Sequence, residues 1–325
     1  MNVLVIGGAG YIGSVVTQQL VQAGHRAVAY DNLSYGHRDA VVPEADWVVA
    51  DLADLDTLAA TIRRYRIEAV IHLAGSSQVG DSMLHPAKYF RDNLVTGLGL
   101  LDILRACNVR RLVFSSTAAV YGEPDSVPLA EAAPQRPANP YGESKLALER
   151  ALPWYESAYG LRHVSLRYFN AAGASGPLGE DHRPETHLIP LVLGCAAGQR
   201  PEIEIYGDRY PTPDGTCIRD YVHVVDLARA HLLALDAIEN GSRIYNVGCG
   251  TGYSVREVIE TARSITGRPI PTRVRAARPG DPAVLVASSE RIRQQLGWEP
   301  LFKQLEAIIE SAWIWHREHP SGYAA

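Results

Sequence analysis

Pro140-Tyr141-Gly142-Glu143-Ser144-Lys145 places a phenol four residues ahead of an ammonium. On a helix, positions i and i+4 share one face, so the two groups point the same way. A free phenol has a pKa near 10 and is a poor base at neutral pH. A neighbouring ammonium, and any positive ring bound beside it, would favour the phenolate and lower that pKa. Tyr141 could then take a proton from an alcohol while hydride leaves the same carbon, with Lys145 as its tuner. The same spacing also suits surface packing, so the pair needs an electron acceptor to acquire this meaning.

Gly7-Gly8-Ala9-Gly10-Tyr11-Ile12-Gly13 supplies a place for one. The run follows a strand-like Val3-Leu4-Val5-Ile6 and opens a helical pattern. It reads G-x-x-G-x-x-G from Gly7 and G-x-G-x-x-G from Gly8. Glycines permit a tight turn and close approach to a pyrophosphate, which then sits at a helix N-terminus. Asp31, with Asn32 beside it, ends the second strand-like run, where a carboxylate would bind adenosine ribose hydroxyls and repel a 2′-phosphate. NAD is therefore favoured over NADP, although Arg38 lies close by and Asp31 could simply cap its turn. Asp51-Leu52 closes the third run, at the level of an adenine. Leu73 ends the fourth, and Ala74-Gly75 would pass along the cofactor.

Phe114-Ser115-Ser116-Thr117 ends a fifth run. Hydroxyls at the carboxyl end of a parallel strand face the ligand crevice. Thr117 is the candidate to hold the reacting oxygen against Tyr141, with a plain hydroxyl-capped turn as the alternative.

These residues need a scaffold. Short β-branched runs alternate with helical patterns at 14–23 and 55–65, which predicts βαβ units and a doubly wound, Rossmann-type parallel sheet. After residue 170 glycine and proline become frequent, which predicts a smaller α/β substrate-binding lobe. The expected division is 1–170 for the dinucleotide-binding part and 171–325 mainly for the lobe, with elements around 215–250 returning to the first. The length of 325 residues, 46% hydrophobic, allows both. A net charge of −5 gives no basic surface for nucleic acid. No transmembrane stretch or signal peptide is expected. Cys107, Cys195, Cys217 and Cys249 are scattered, which predicts reduced thiols, a cytoplasmic protein and no metal cluster.

Together the glycine loop, Ser115-Ser116-Thr117, Tyr-x-x-x-Lys and Leu166-Arg167-Tyr168-Phe169-Asn170 resemble the extended short-chain dehydrogenase/reductase family. Tyr210-Pro211-Thr212-Pro213-Asp214-Gly215-Thr216-Cys217-Ile218-Arg219-Asp220-Tyr221-Val222-His223, and Trp313-Ile314-Trp315-His316 near the end, sharpen this to a resemblance to UDP-glucose 4-epimerases over essentially the whole chain. The resemblance implies a mechanism: Tyr141 deprotonates the sugar 4-hydroxyl, NAD accepts hydride from C4, the keto sugar turns, and hydride returns to its other face. It implies that Asn93, Tyr168 and Phe169 help hold NAD. It assigns the UDP-sugar to Asn170, His187, Leu188, Glu204, Ile205, Tyr206, Arg219, Arg278 and Asp281. Arg219 and Arg278 are independently sensible as cationic forks for a diphosphate. It further implies a homodimer through the helices at 88–107 and 141–159.

Three positions depart from the family pattern. Ser77 stands where some members carry a lysine, which weakens a cofactor contact there. Thr117 stands where serine is frequent, and the hydroxyl is kept. Leu285 falls near a bulky-or-small position that gates N-acetylated sugars, and leucine leaves that choice open. Among rivals, a 4,6-dehydratase would want Asp-Glu after the threonine, where this chain has Ala118-Ala119. A cofactor-sensing regulator would not need Tyr141 and Lys145. Epimerases of pentose or uronate sugars remain open on sequence.

Overall fold

The computed structural model describes residues 1–278 and 280–323. Its strands are β1 (Asn2–Ile6), β2 (Arg26–Asp31), β3 (Asp46–Val49), β4 (Ala69–His72), β5 (Arg111–Thr117), β6 (Arg162–Tyr168), β7 (Asn170–Ala172), β8 (Ile203–Tyr206), β9 (Ile218–His223), β10 (Arg243–Val247), β11 (Gly252–Ser254), β12 (Thr272–Arg275) and β13 (Val284–Leu285).

Seven of them form one sheet, ordered β10-β6-β5-β4-β1-β2-β3, and every pairing in it is parallel. Central strands buried on both faces read as unbroken apolar runs, and Val3-Leu4-Val5-Ile6 is such a run. Val3 and Val5 pack with Val15, Leu20 and Leu227 on one face. Leu4 and Ile6 pack with Leu58, Leu100 and Leu148 on the other. The chain winds outward from β1 to β3, then reverses to β4 on the opposite side of β1. That reversal opens a crevice beyond the carboxyl ends of β1 and β4, where ligands of open α/β sheets bind.

The remaining strands build a second body. β9 pairs with β7 and β13 in parallel and with β11 antiparallel, while β8 and β12 form a separate pair. The helices Leu188–Ala196, Val255–Thr266 and Leu305–Glu318 close a third core around Ile189, Val192, Ile259, Ile308 and Ile309. β10 belongs to the large sheet although it follows β9 in sequence.

Two helices differ from the sequence expectation. The first begins at Tyr11, directly after the Gly10 cap, three residues earlier than its apolar pattern suggests. The stretch at 88–107 is three segments: an α-turn Pro86–Tyr89, a π-helical insert Phe90–Val95 and an α-helix Thr96–Ala106. Such inserts recur at functional sites because they re-aim one side chain; here Asn93 lies within it. The helix Pro140–Tyr159 starts where local chemistry dictates: proline at its first position, and Asn139 accepting from the Gly142 N–H at 2.9 Å. It ends at Gly160 in the left-handed conformation, φ 71°.

Candidate active site

The glycine loop is a cradle by steric necessity. Gly7 has φ 84°, and a Cβ there would lie 2.7 Å from the Ala74 nitrogen. A Cβ on Gly13 would lie 1.9 Å from the Gly7 carbonyl oxygen. Ser14 N–H bonds Gly10 O at 2.9 Å, so the N–H groups of Tyr11, Ile12 and Gly13 have no partner within their helix. No acidic side chain occupies that first turn. This is an anion site in both geometry and charge. Tyr11 contributes only its backbone, because its hydroxyl is spent on Gly173 O at 2.7 Å.

Asp31 serves the loop and its own turn at once. One carboxylate oxygen accepts from Ala9 N–H at 3.1 Å, the other from Leu33 N–H at 2.8 Å. Burial raises its pKa, and those two bonds oppose the shift. Arg38 stacks on Trp47, with its guanidinium 4.4 Å from the ring centre. Asn32 donates to Asp51 at 2.7 Å, and Asp51 also caps the turn at Ala53 N–H at 2.8 Å. Leu52 is buried in the core beneath β2.

At the carboxyl ends of β5 and β6, Thr117 and Tyr168 are register partners. Thr117 Oγ1 accepts from Ala119 N–H at 3.1 Å, so the anticipated capped turn is present. Its hydroxyl proton remains available, and the hydroxyl acts to lower the pKa of the buried Tyr141 phenol. Lys145, one turn along, donates to Ser115 O at 3.2 Å and lies 5.3 Å from the Phe114 ring centre. Gly75 admits it: a Cβ there would be 3.3 Å from Lys145 Nζ and 2.6 Å from Asn93 Oδ1. The Ser115 side chain instead contacts His231 Nε2 at 3.3 Å, so its carbonyl alone reaches the lysine.

The electrostatics correct one expectation. Tyr141 sits above the ordinary tyrosine pKa, because burial outweighs the opposing effect of the Thr117 hydroxyl. Burial also pushes Lys145 down to about 8. Each charge is costly in this setting, so spacing to Lys145 does not by itself make a phenolate. Further positive charge must arrive with what binds.

Two features hold this array in place: Asn93, expected from the resemblance to help hold NAD, and the Arg167–Glu149 pair, which had no role assigned from sequence. Asn93 Oδ1 accepts from Ser76 N–H at 2.8 Å, and its amide donates to Ser76 O at 3.0 Å and Ser144 Oγ at 2.9 Å. The buried Arg167–Glu149 pair ties β6 to the Tyr141 helix, and Ser116 Oγ donates to Glu149 at 2.7 Å. Phe169 turns into an apolar cluster with Tyr121 and Leu146, so its side chain braces the catalytic helix from behind.

The substrate candidates fall into three groups. Asn170 lies in β7, which follows Tyr168 and pairs with β9. His187 caps the helix that Leu188 begins, and no side chain bonds that N-terminus. On the same lobe, Arg278 stacks 3.9 Å over the Tyr206 ring, and Arg219 pairs with Asp281 while donating to Ile218 O at 2.7 Å. Glu204 is committed to Arg275 at 2.8 Å and Tyr206 OH at 2.6 Å. Ile205 is buried in the third core, which leaves only its backbone for a ligand. Leu285 packs at the edge of the Phe169 cluster and pairs with Arg219.

One gathering was outside the sequence reading, which looked for metal ligands among cysteines. Glu180, His182, Glu185 and His187 bring four ligand atoms within 4.8 Å of one another. The spacing Glu-x-His-x-x-Glu-x-His stands in the sequence as its signal.

The cradle that only glycine fits, the bare helix N-terminus and the Asp31 carboxylate suit a dinucleotide with a free 2′-hydroxyl. Comparison with known proteins agrees. The family model "NAD dependent epimerase/dehydratase family" matches residues 3–248. The UDP-glucose 4-epimerase of Lacticaseibacillus casei is 49% identical, across 99% of this chain and 99% of that protein. A crystal structure of UDP-glucose 4-epimerase from Brucella ovis in complex with NAD is 47% identical, covers 96% of this chain and 97% of that one, and superposes with a TM-score of 0.93. The Bifidobacterium longum enzyme in complex with NAD+ and UDP is 36% identical, with TM-score 0.96 and coverage of 99% and 100%. The chain belongs to the NAD-dependent epimerase/dehydratase family and, within it, to the UDP-glucose 4-epimerases.

Proposed function

We propose that this chain interconverts UDP-glucose and UDP-galactose by inverting C4 of the bound hexose, with NAD held throughout the cycle. The observation that carries the reading is the Thr117–Tyr141 hydroxyl pair beside Lys145, with Ala118-Ala119 where a dehydratase would need acids.

Gly7, Gly10, Tyr11, Ile12 and Gly13 hold the pyrophosphate, and Asp31 with Asn32 the adenosine ribose. Asp51, Leu52, Leu73, Ala74 and Gly75 line the rest of the cofactor path, with Asn93, Ser115, Tyr168 and Phe169 shaping its nicotinamide end. Bound NAD supplies the hydride acceptor and donor for C4 and a positive ring charge beside the phenol. Tyr141 takes the 4-hydroxyl proton and later returns it. Thr117 holds the reacting oxygen against Tyr141, and Lys145 supplies a buried positive charge on the same helical face. Arg219 and Arg278 clamp the diphosphate, aided by the N-terminus at His187-Leu188. Asn170, Glu204, Ile205, Tyr206 and Asp281 complete the UDP-sugar site. The parallel sheet thus carries the cofactor, and the lobe after residue 170 carries the nucleotide sugar.

The experiment is turnover of UDP-galactose by the purified chain with no added NAD. UDP-glucose should form. If neither it nor UDP-N-acetylglucosamine arises from its C4 partner, the reading fails. The second substrate matters because Leu285 lines the cluster next to Phe169, where a sugar substituent would be gated.

We also propose a homodimer, supported by the exposed Val95, Trp154 and Tyr159 on the helical segments expected to meet; a molar mass of one chain in solution would refute it. No helix of the described residues is long and apolar enough to cross a membrane. The four free cysteines support a reducing, cytoplasmic setting.

A further inference from the structure

The segment between β7 and the helix Leu188–Ala196 gathers two imidazoles and two carboxylates of opposite preference around one point. His187 Nδ1 lies 2.7 Å from Glu180 Oε1 and 3.3 Å from Glu185 Oε1. His182 Nδ1 lies 3.2 Å from the same Glu180 oxygen and 3.6 Å from Glu185 Oε2. Four ligands at zinc distances of about 2.0–2.2 Å in a tetrahedron lie about 3.3–3.6 Å apart. The observed separations bracket that edge.

These contacts are close but misdirected for hydrogen bonding. His182 Nδ1, His187 Nδ1 and Glu185 Oε2 are all shielded from solvent, and none has a hydrogen-bond partner among the described residues. Buried polar atoms left unpartnered this close to one another are suited to share a bound cation. Charge gives the same answer. Two carboxylates with two neutral imidazoles carry −2, and one divalent cation cancels it. Without the cation, protonating both histidines would balance Glu180 and Glu185, but their cations then repel across ring centres 5.3 Å apart.

The ligands are also oriented from outside, as metal ligands generally are. Glu185 Oε1 accepts from the N–H groups of Thr186 at 2.6 Å and His187 at 2.7 Å. Asp181, between the first two ligands, is pinned by Tyr323 N–H at 3.0 Å and by Arg183 at 3.0 Å, and its carbonyl contacts His37 Nε2 at 2.9 Å. The Glu180 side chain is almost fully buried, whereas that of His187 is 42% exposed, which leaves an entry path.

We propose that Glu180, His182, Glu185 and His187 form a binding site for one divalent transition-metal ion of the zinc type. Mixed imidazole and carboxylate ligands at four-coordinate spacing favour zinc over magnesium or calcium, which want six or more oxygens. The ion clips both ends of the 180–187 segment together. Resting on the proposed function, it also fixes the start of the helix at Leu188 that faces the UDP diphosphate.

The test reads metal and not turnover, so it stands whether or not the substrate assignment does. The purified full chain is stripped with a chelator and titrated with Co2+, then with Zn2+ as competitor. About one equivalent of Co2+ should bind with the intense visible bands of a tetrahedral site, Zn2+ should displace it, and Mg2+ should not. His182→Ala and Glu185→Ala should each weaken uptake at least about 100-fold, since loss of an outer-shell partner alone costs about 10–100-fold. Uptake well below one equivalent, weak six-coordinate bands, or equal uptake in the two variants overturns the proposal. Should a variant fail to fold, the Co2+ spectrum of the unaltered chain decides by itself.

Discussion

The Asn93 amide stands 2.9 Å from Ser144 Oγ, and this bond links the π-helical insert to the helix that carries Tyr141 and Lys145. Asn93 also closes a two-bond clasp on Ser76, so one buried side chain sets both walls of the proposed nicotinamide end. Asn93→Ala leaves the Ser76 N–H and carbonyl without these partners, at about 1–3 kcal/mol. The midpoint of thermal unfolding should fall accordingly. Turnover should fall further, by up to about 100-fold, because a small misplacement of the Tyr141 helix relative to the Ser76 wall is costly. A variant that unfolds earlier but turns over normally would reduce Asn93 to a structural role.

Tyr141→Phe removes the only proposed proton acceptor while keeping the ring. Turnover should drop about 10²–10⁴-fold. NAD released on denaturation should match that of the unaltered chain, since the cradle lies at the other end of the crevice. Full activity in this variant would sink the mechanism.

Gly13→Ala tests the cradle. Its methyl would sit 1.9 Å from the Gly7 carbonyl, which is backbone and cannot swing aside. The loop must open, and NAD should be lost on purification. Retention of stoichiometric NAD would show that the Gly7–Gly13 approach is not what holds the pyrophosphate.

Much of this architecture stands legible in the chain. Val3–Ile6 and the strand-like runs after it map onto strands of one parallel sheet, and the central ones are legible because strands buried on both faces must be apolar without interruption. Other features depend on what sequence spacing omits. The π-insert at Phe90–Val95 shifts the helical phase gradually and leaves no break in the apolar pattern, yet it aims Asn93. The direction of the Tyr141 pKa depends on burial, and Tyr-x-x-x-Lys carries no record of that. Glu149 and Arg167 lie 18 residues apart on different elements, so only the folded chain pairs them. Glu180, His182, Glu185 and His187 are close in sequence, but the loop conformation that turns their ligand atoms inward has no period of its own.

Lys145 carries the last prediction, on stability against pH. Its native pKa of about 8 lies below the ordinary 10.5, with burial as the cause. Between those values the unfolded chain holds a proton that the native chain has released. Stability of the cofactor-free protein should therefore rise with pH across that window, and be lowest in this respect below 8, where the native state must bury an ammonium. A shift of this size corresponds to roughly 3 kcal/mol. Lys145→Met removes the charge and keeps much of the apolar volume. At pH 7 its urea midpoint should exceed that of the unaltered chain, and the gap should close as pH climbs towards 10. Turnover should nevertheless collapse, because the positive charge beside Tyr141 is gone. A Met variant less stable at pH 7, or a gap independent of pH, would show that the Ser115 carbonyl and Phe114 ring compensate the buried ammonium in full.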